Sequence, residues 1–87
     1  MMFSGIIKHT GKINKIYKDK NNCTIDILSK IKFSKSEIGT SISCSGICLT
    51  LEKSKGNLSK FYVSKETLNR TNFKSLNKGD LINLEKP

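Results

Sequence analysis

Residues 47–63, ICLTLEKSKGNLSKFYV, contain two short apolar runs separated by a polar turn. The first run, Ile47–Leu51, and the second, Leu58–Val63, have the length and composition of β-strands. Lys55-Gly56-Asn57 between them has the composition of a tight hairpin turn. This stretch therefore predicts a β-hairpin, and the same pattern extends along the rest of the chain.

Short apolar runs separated by Gly, Asn, Ser and Lys continue on both sides of the hairpin. One segment instead predicts a helix, which Ser64 can cap and which runs to about Thr71, with Glu66 in its first turn. About six short strands with regular turns predict an all-β fold closed into a small barrel, because closure removes exposed sheet edges. The other predicted strands are Phe3–Lys8 with its continuation Ile13–Lys18 after Gly11, Cys23–Leu28, Ser41–Ser45 and Leu81–Glu85.

The composition indicates one small domain with an ordinary surface. The chain has 87 residues, and no apolar run approaches the ~18 residues of a membrane span. The formal net charge is +9, but 15 of the 16 basic residues are scattered Lys, and the chain has 11 Ile and no Ala. That bias is typical of an AT-rich coding sequence, whereas nucleic-acid surfaces usually also use Arg. We therefore expect neither a nucleic-acid nor a membrane partner.

The cysteines favour neither a disulfide framework nor a metal site. Cys23, Cys44 and Cys48 are odd in number and form no CxxC pair, and the only histidine is His9. The segment Met1–Ile7 has no features of a secretory signal. Free thiols without a signal predict a reducing, cytoplasmic location.

Four blocks of the sequence resemble the riboflavin synthase family, in the family's order. The opening MFSGII, residues 2–7, resembles M-F-T-G-I-[IV], and IGTSISCSGICLTL, residues 38–51, resembles G-x-S-[IV]-x-x-x-G-x-C-L-T-[VL]. FYVSKETLNRT, residues 61–71, resembles [FY]-x-[VL]-[SM]-x-E-T-L-x-[RK]-T, and KGDLINLE, residues 78–85, resembles K-x-G-D-x-V-N-L-E. Each block alone is weak, but together they are specific and cover nearly the whole chain.

The resemblance implies a six-stranded antiparallel Greek-key barrel with one short helix, binding lumazine. Family subunits carry two such barrels in tandem, and residues 1–87 resemble the first barrel only. We therefore expect a single domain without the second barrel. It would be either an excised domain or the product of a shortened gene. The implied activity is a transferase step of riboflavin biosynthesis. Two molecules of 6,7-dimethyl-8-ribityllumazine exchange a four-carbon unit and give riboflavin and a pyrimidinedione. Neither a metal nor a redox cofactor is expected.

The resemblance also implies the site residues. Cys48 and Ser41 are the candidate catalytic residues, and Glu66 lies in the segment that would contact the ligand. A helix beginning at Ser64 offers backbone donors at the same place. The full set implied to bind the substrate is Phe3, Ser4, Gly5, Ile6, Ile7, Cys48, Leu49, Thr50, Tyr62, Val63, Ser64, Lys65, Glu66 and Thr67.

Ordinary structural roles remain open for several of these residues. Cys48 can be an inward core cysteine, Ser41 can cap the turn at Gly39, and Phe3 can pack in the core. Ser64 can be a plain helix cap, which is compatible with ligand contact. His9 lies outside the matched motifs, so we expect it to be structural. Ser45 stands where the family usually has Asn, so the turn at Gly46 is expected to survive while any contact from that amide is lost or weakened.

Two other function classes remain open. A non-catalytic lumazine or flavin carrier would share the same site. An oligonucleotide-binding barrel would need surface aromatics for stacking, and most of the few aromatics fall in or beside the family blocks. Family subunits form trimers, and for this single barrel we expect a homodimer that covers an exposed apolar surface, with weak or no activity by itself.

Overall fold

The computed structural model describes residues 7–19, 22–70 and 76–86. Over these residues the chain forms six β-strands, one short α-helix and a single 3₁₀ turn at Lys35–Glu37. No helix in this described part is long and apolar enough to cross a membrane. The elements are β1 (Ile7–Lys18), β2 (Asn22–Leu28), β3 (Ser41–Cys44), β4 (Ile47–Lys55), β5 (Leu58–Ser64), α1 (Lys65–Arg70) and β6 (Leu81–Lys86).

The strands close into a barrel in the order β1-β2-β5-β4-β3-β6. Every neighbouring pair is antiparallel. β3, β4 and β5 follow one another through hairpins, and β6 then returns to lie beside β3, which is a Greek-key connection. The predicted fold, an all-β six-stranded Greek-key barrel with one short helix, is confirmed.

The barrel closes through β1, which belongs to two ladders. Its first half pairs with β6, from Ile7 opposite Lys86 to Lys12 opposite Leu81. Its second half pairs with β2, starting from Lys12 opposite Leu28. The sequence predicted that the strand beginning at Phe3 continues after Gly11, and the structure has one continuous strand from Ile7 to Lys18; residues 3–6 of the predicted strand lie outside the described residues.

Gly11 lies where β1 passes from one ladder to the other. A Cβ atom at this position would lie 2.5 Å from Cγ2 of Ile27 and 3.1 Å from the carbonyl oxygen of Leu28. Such distances are shorter than van der Waals contact, so any side chain here would push β1 away from β2. Glycine therefore lets β1 lie this close to β2 at the junction.

Alternation along the strands separates the core from the outer surface. In β5, for example, Ser59, Phe61 and Val63 are buried, while the residues between them face outward. This is the two-residue period of a strand with one buried face. The apolar core consists of Ile13, Cys23, Ile25, Ile27, Ile31, Ile42, Cys44, Leu49, Leu51, Phe61, Val63, Ile82 and Leu84.

The turn between β3 and β4 consists of Ser45 and Gly46, both with positive φ (52° and 82°). This is the backbone that a two-residue type I′ hairpin needs, and Asn or Gly adopts it more readily than Ser. The turn expected at Gly46 is present. Ser45 is tied to β6 because its N–H donates to the Asn83 carbonyl at 2.6 Å, and its hydroxyl accepts from the Asn83 N–H at 3.1 Å.

The long connection between β2 and β3 is held against the barrel by Lys86 at the end of β6. The Lys86 ammonium donates to the Lys32 carbonyl at 2.7 Å and to the Glu37 carboxylate at 3.0 Å. The Ser34 backbone N–H and then Lys86 hold the pKa of Glu37 below its usual value. Phe33 in this connection packs edge-on against the core ring of Phe61, with 6.0 Å between ring centroids.

We predict that Gly11→Ala destabilises the barrel by about 1–3 kcal/mol, because the added methyl group overpacks the junction with Ile27. In an open strand the same change would stabilise the protein, since alanine loses less backbone entropy than glycine on folding. Urea unfolding measures the difference. Lys12→Ala, one residue further on and exposed, is the control and stays within about 0.5 kcal/mol of the parent. An unchanged or raised stability for Gly11→Ala contradicts the account of closure.

Candidate functional site

The predicted site residues on β3, β4 and β5 share the outer face of the barrel. In β4, Leu49 and Leu51 are buried, so Cys48 and Thr50 between them face outward; Cys48 is exposed and Thr50 is half-buried. The ladders place Ser41 opposite Thr50, and Thr50 opposite Tyr62. Ser41, Thr50 and Tyr62 therefore form one transverse row across three strands, and we call it the hydroxyl row.

Cys48 lies beside the hydroxyl row, one step along β4. Its partner across the ladder is Ser43 on β3. Of the two roles open to Cys48, the inward core position is excluded, because its side chain is exposed. The inward cysteine of this hairpin is Cys44 on β3, and burial raises the pKa of its thiol to about 12.

The end of β5 turns into α1 at Ser64, beside the same face. The Ser64 hydroxyl oxygen accepts a hydrogen bond from the Thr67 backbone N–H at 3.1 Å, and its proton is donated to the Thr67 side-chain oxygen at 2.8 Å. This is the helix cap that the sequence predicted, with the third helical residue as partner. The hydroxyl proton of Ser64 is thus used inside the protein, so a ligand contact there would share the oxygen or compete with the cap.

The remaining implied residues fall into three groups. The side chains of Leu49 and Val63 are in the core, so these residues present only backbone to the outer face. Lys65 and Glu66 are exposed in the first turn of α1. Phe3, Ser4, Gly5 and Ile6 lie outside the described residues, as does the side chain of Ile7 at the start of β1.

The structure also places Ser41 and His9. Ser41 is an exposed residue of β3, and the side chain that bonds to the preceding turn is that of Thr40, whose hydroxyl donates to the Glu37 carbonyl at 2.5 Å. His9 is half-buried in β1 opposite Leu84, away from the hydroxyl row in the ladder order.

Two neighbours of Tyr62 on β2 could not be identified from the sequence. Thr24 lies directly opposite Tyr62 and extends the hydroxyl row by one strand. The Tyr62 hydroxyl donates to the side-chain oxygen of Asn22 at 3.3 Å. The alternation of β2 shows that Thr24 faces outward, but only the pairing of β2 with β5, distant in sequence, reveals its neighbour.

The hydroxyl row and Cys48 form a patch suited to a flat polar molecule. Hydroxyl groups both donate and accept hydrogen bonds, so the patch can match the mixed edge of a heterocycle. The patch lies on the convex outside of the barrel, so it contacts one face of such a ring and does not enclose it. Within residues 7–19, 22–70 and 76–86, no three His, Cys, Asp or Glu side chains lie together as metal ligands would.

The fold is a small closed antiparallel Greek-key barrel, an architecture on which ligand-binding domains are built. Residues 4–87 match the family model described as the lumazine binding domain, so the chain belongs to the lumazine-binding domain family.

The chain is also similar to riboflavin synthases. It is 35% identical to that of Bacillus amyloliquefaciens over 85 residues, covering 98% of this chain and 40% of the relative. It is 35% identical to that of Chlamydia trachomatis over 85 residues, covering 98% and 42%, and 36% identical to that of Escherichia coli K12 over 86 residues, covering 98% and 40%. The chain thus spans about two fifths of the length of these relatives.

We predict that Cys48 is the one thiol of the native protein that reacts rapidly with iodoacetamide. Cys48 is exposed, whereas Cys23 and Cys44 are buried and burial raises the pKa of both thiols, which suppresses the reactive thiolate. Mass spectrometry of timed samples measures the labelling. Cys48→Ser removes the fast reaction, and unfolding in urea restores reaction at the other two. Fast labelling of Cys44 in the native protein contradicts the placement of β3.

Proposed function

We propose that this chain binds 6,7-dimethyl-8-ribityllumazine on the outer face of β3, β4 and β5, as the lumazine-binding part of a riboflavin synthase. The observation that supports this most directly is the hydroxyl row beside an exposed Cys48, in a chain of the lumazine-binding domain family. Riboflavin binds at the same place, because it shares the ribityl chain and the pyrimidine edge of the lumazine.

The residues of the patch bind and orient the ligand. The Thr50 hydroxyl hydrogen-bonds to the pyrimidine edge, and the Cys48 thiol lies against the ring. The segment from Tyr62 to Thr67 offers backbone groups and the Thr67 hydroxyl to the ribityl chain. Ser41 completes the polar edge on the side of β3.

The reaction joins two lumazines, one of which donates a four-carbon unit to the other. The protein contributes mainly by holding the two rings face to face, which lowers the entropic cost of their meeting. No metal ion or redox cofactor takes part in this proposal. The location we propose is the cytoplasm, where a free thiol such as Cys48 stays reduced.

A convex site covers one face of the bound ring and leaves the other face open. We propose that a second barrel covers it, and for this chain by itself the nearest such barrel is a second copy in a two-fold dimer. The full reaction also uses groups from the second barrel of a tandem subunit. In the family, three such subunits assemble as a trimer. This chain alone therefore binds ligand but turns it over slowly or not at all.

We predict that Thr50→Val weakens the binding of lumazine and of riboflavin about 3- to 10-fold. The substitution removes the hydroxyl at nearly constant side-chain volume, and the loss corresponds to one neutral hydrogen bond. Titration followed by ligand fluorescence measures the dissociation constants. The matched control is Thr10→Val, an exposed threonine on β1 opposite Asn83, which β6 separates from the hydroxyl row. Thr10→Val is expected to leave binding unchanged.

The outcomes separate the proposal from its alternatives. Equal binding by Thr50→Val and the parent removes Thr50 from the site, and a lack of any fluorescence change at high protein concentration removes the site altogether. A lumazine carrier and the binding domain of an enzyme give the same titration, so the two functions are distinguished in a protein that has both barrels in tandem. If that protein is an enzyme, it converts lumazine to riboflavin. If it is a carrier, the lumazine remains unchanged.

We predict that the chain sediments as a dimer and that lumazine strengthens the association, because a ligand that contacts both copies stabilises their complex by mass action. Sedimentation velocity across a protein dilution series, with and without lumazine, measures this. Thr50→Val dimerises like the parent without ligand and gains less from adding it. A monomer at every concentration, with and without lumazine, contradicts the proposed arrangement.

A further inference from the structure

Ser41, at the β3 end of the hydroxyl row, has a ladder partner on one side only. β3 is four residues long, and β4 pairs with all of them, beginning with Thr50 opposite Ser41. The ladder between β3 and β6 covers only the last two residues of β3. The first residue of a short strand, paired on one side, opens more easily than the centre of a sheet. The position of the Ser41 hydroxyl therefore depends on the chain that leads into β3.

Lys86 lies where the ladder between β6 and β3 would continue. In the register of that ladder, Lys86 falls level with Ile42. Instead of forming a further ladder pair, Lys86 bonds through its side chain to the connection that precedes β3. Its ammonium donates to the Lys32 carbonyl at 2.7 Å and to the Glu37 carboxylate at 3.0 Å, and its side chain is only 18% exposed. An ion pair that is largely withdrawn from water is stronger than one on the open surface.

Further hydrogen bonds connect Glu37 to the start of β3. The Glu37 carboxylate accepts from the Ser34 backbone N–H at 2.8 Å, which closes the turn before β3. The Glu37 carbonyl accepts from the Thr40 backbone N–H at 3.1 Å and from the Thr40 hydroxyl. The Thr40 carbonyl accepts from the Leu51 N–H at 2.9 Å, and the Gly39 N–H donates to the Leu51 carbonyl at 2.7 Å. One turn thus connects the ion pair to the residue immediately before the hydroxyl row.

We propose that Lys86 and Glu37 are positioning residues of the lumazine site, which hold the Ser41 hydroxyl opposite Thr50. They act through the turn and Thr40 and do not touch the ligand. Without the ion pair the start of β3 opens more often, and in the open state the patch lacks its hydroxyl on the β3 side. The apparent affinity for lumazine then falls with the fraction of molecules in which Ser41 is out of place. The inference rests on the proposed function, because it concerns Ser41 at that site.

Four variants test the ion pair. Lys86→Met keeps a side chain of similar length over the Phe33 ring but removes both hydrogen bonds of the ammonium. Lys86→Arg keeps a cation that can reach Glu37 and is the conservative variant. Glu37→Gln removes the opposite charge, keeps an oxygen for the Ser34 N–H, and is a second test of the same ion pair. Lys35→Met, an exposed lysine of the 3₁₀ turn, removes the same charge as Lys86→Met and is the matched control.

Hydrogen exchange of backbone amides in the ligand-free chain measures whether the ion pair holds the start of β3. In Lys86→Met we expect the N–H groups of Gly39 and Leu51 to exchange at least about threefold faster, because local opening there costs less free energy. The N–H of Thr67, which opens with α1 and not with the turn, keeps its rate. In Lys86→Arg and in Lys35→Met all three rates stay close to those of the parent.

Lumazine titration followed by fluorescence measures whether Ser41 transmits the effect to the ligand. Lys86→Met weakens binding about two- to fivefold, and less than Ser41→Ala, because it displaces in some molecules the hydroxyl that Ser41→Ala removes from all of them. In a chain that already carries Ser41→Ala, Lys86→Met causes no further loss. A general loosening of the barrel would weaken binding equally in both backgrounds, so the double-mutant cycle distinguishes a positioning role from a merely structural one.

The outcomes separate this inference from the proposed function. Recovery of both the exchange rates and the affinity in Lys86→Arg supports the inference. Unchanged exchange at Gly39 and Leu51 in Lys86→Met and Glu37→Gln overturns it, and so does an equal loss of affinity with and without the Ser41 hydroxyl. If the parent binds lumazine and both variants bind it equally well, the inference alone is overturned. If the parent binds no lumazine, the proposed function fails and the inference fails with it.

Discussion

The structure depends on β1 forming hydrogen bonds with two different neighbours. The strand leaves β6 and joins β2 within a few residues, and at that junction it approaches Ile27 too closely for any side chain at Gly11. Closure then gives every strand a neighbour on both sides. Within the closed barrel, the two-residue turns of the hairpins set the registers of β3 with β4 and of β4 with β5, and with them the rows of side chains on the outer face.

Local features of the fold could be predicted from the sequence because each is determined by residues close together along the chain. The turn Gly56-Asn57 and the cap at Ser64 are examples, and both are present. In the turn, Gly56 has a φ of 60° and the next residue returns to negative φ, as in a type II′ hairpin. The role of Gly11 was more difficult to predict, because a glycine between two apolar runs also suggests a break in the strand. Its close approach to Ile27, which is distant in sequence, explains why this position is a glycine.

The candidate site could be predicted in part. The two-residue period showed that Cys48 and Thr50 share a face, and the resemblance suggested which face binds ligand. Neither one showed that Thr24 adjoins Tyr62, since β2 and β5 are brought together only by the Greek-key crossing. The alternation along Cys23–Leu28 directs Asp26 outward, whereas the structure buries it; its surroundings depend on the bulges in β1 and β4 and on the register of several strands, which do not follow from local composition.

The strict alternation of β5 has a consequence for how such a domain changes over evolution. Phe61 and Val63 carry the stability of the strand, while Lys60 and Tyr62 face outward, and the two sets do not overlap. A substitution in the second set alters what the surface recognises at little cost to folding. The barrel can therefore acquire a new specificity through single steps that each leave a folded protein, and a library randomised only at the outward positions of β3, β4 and β5 would consist largely of folded members.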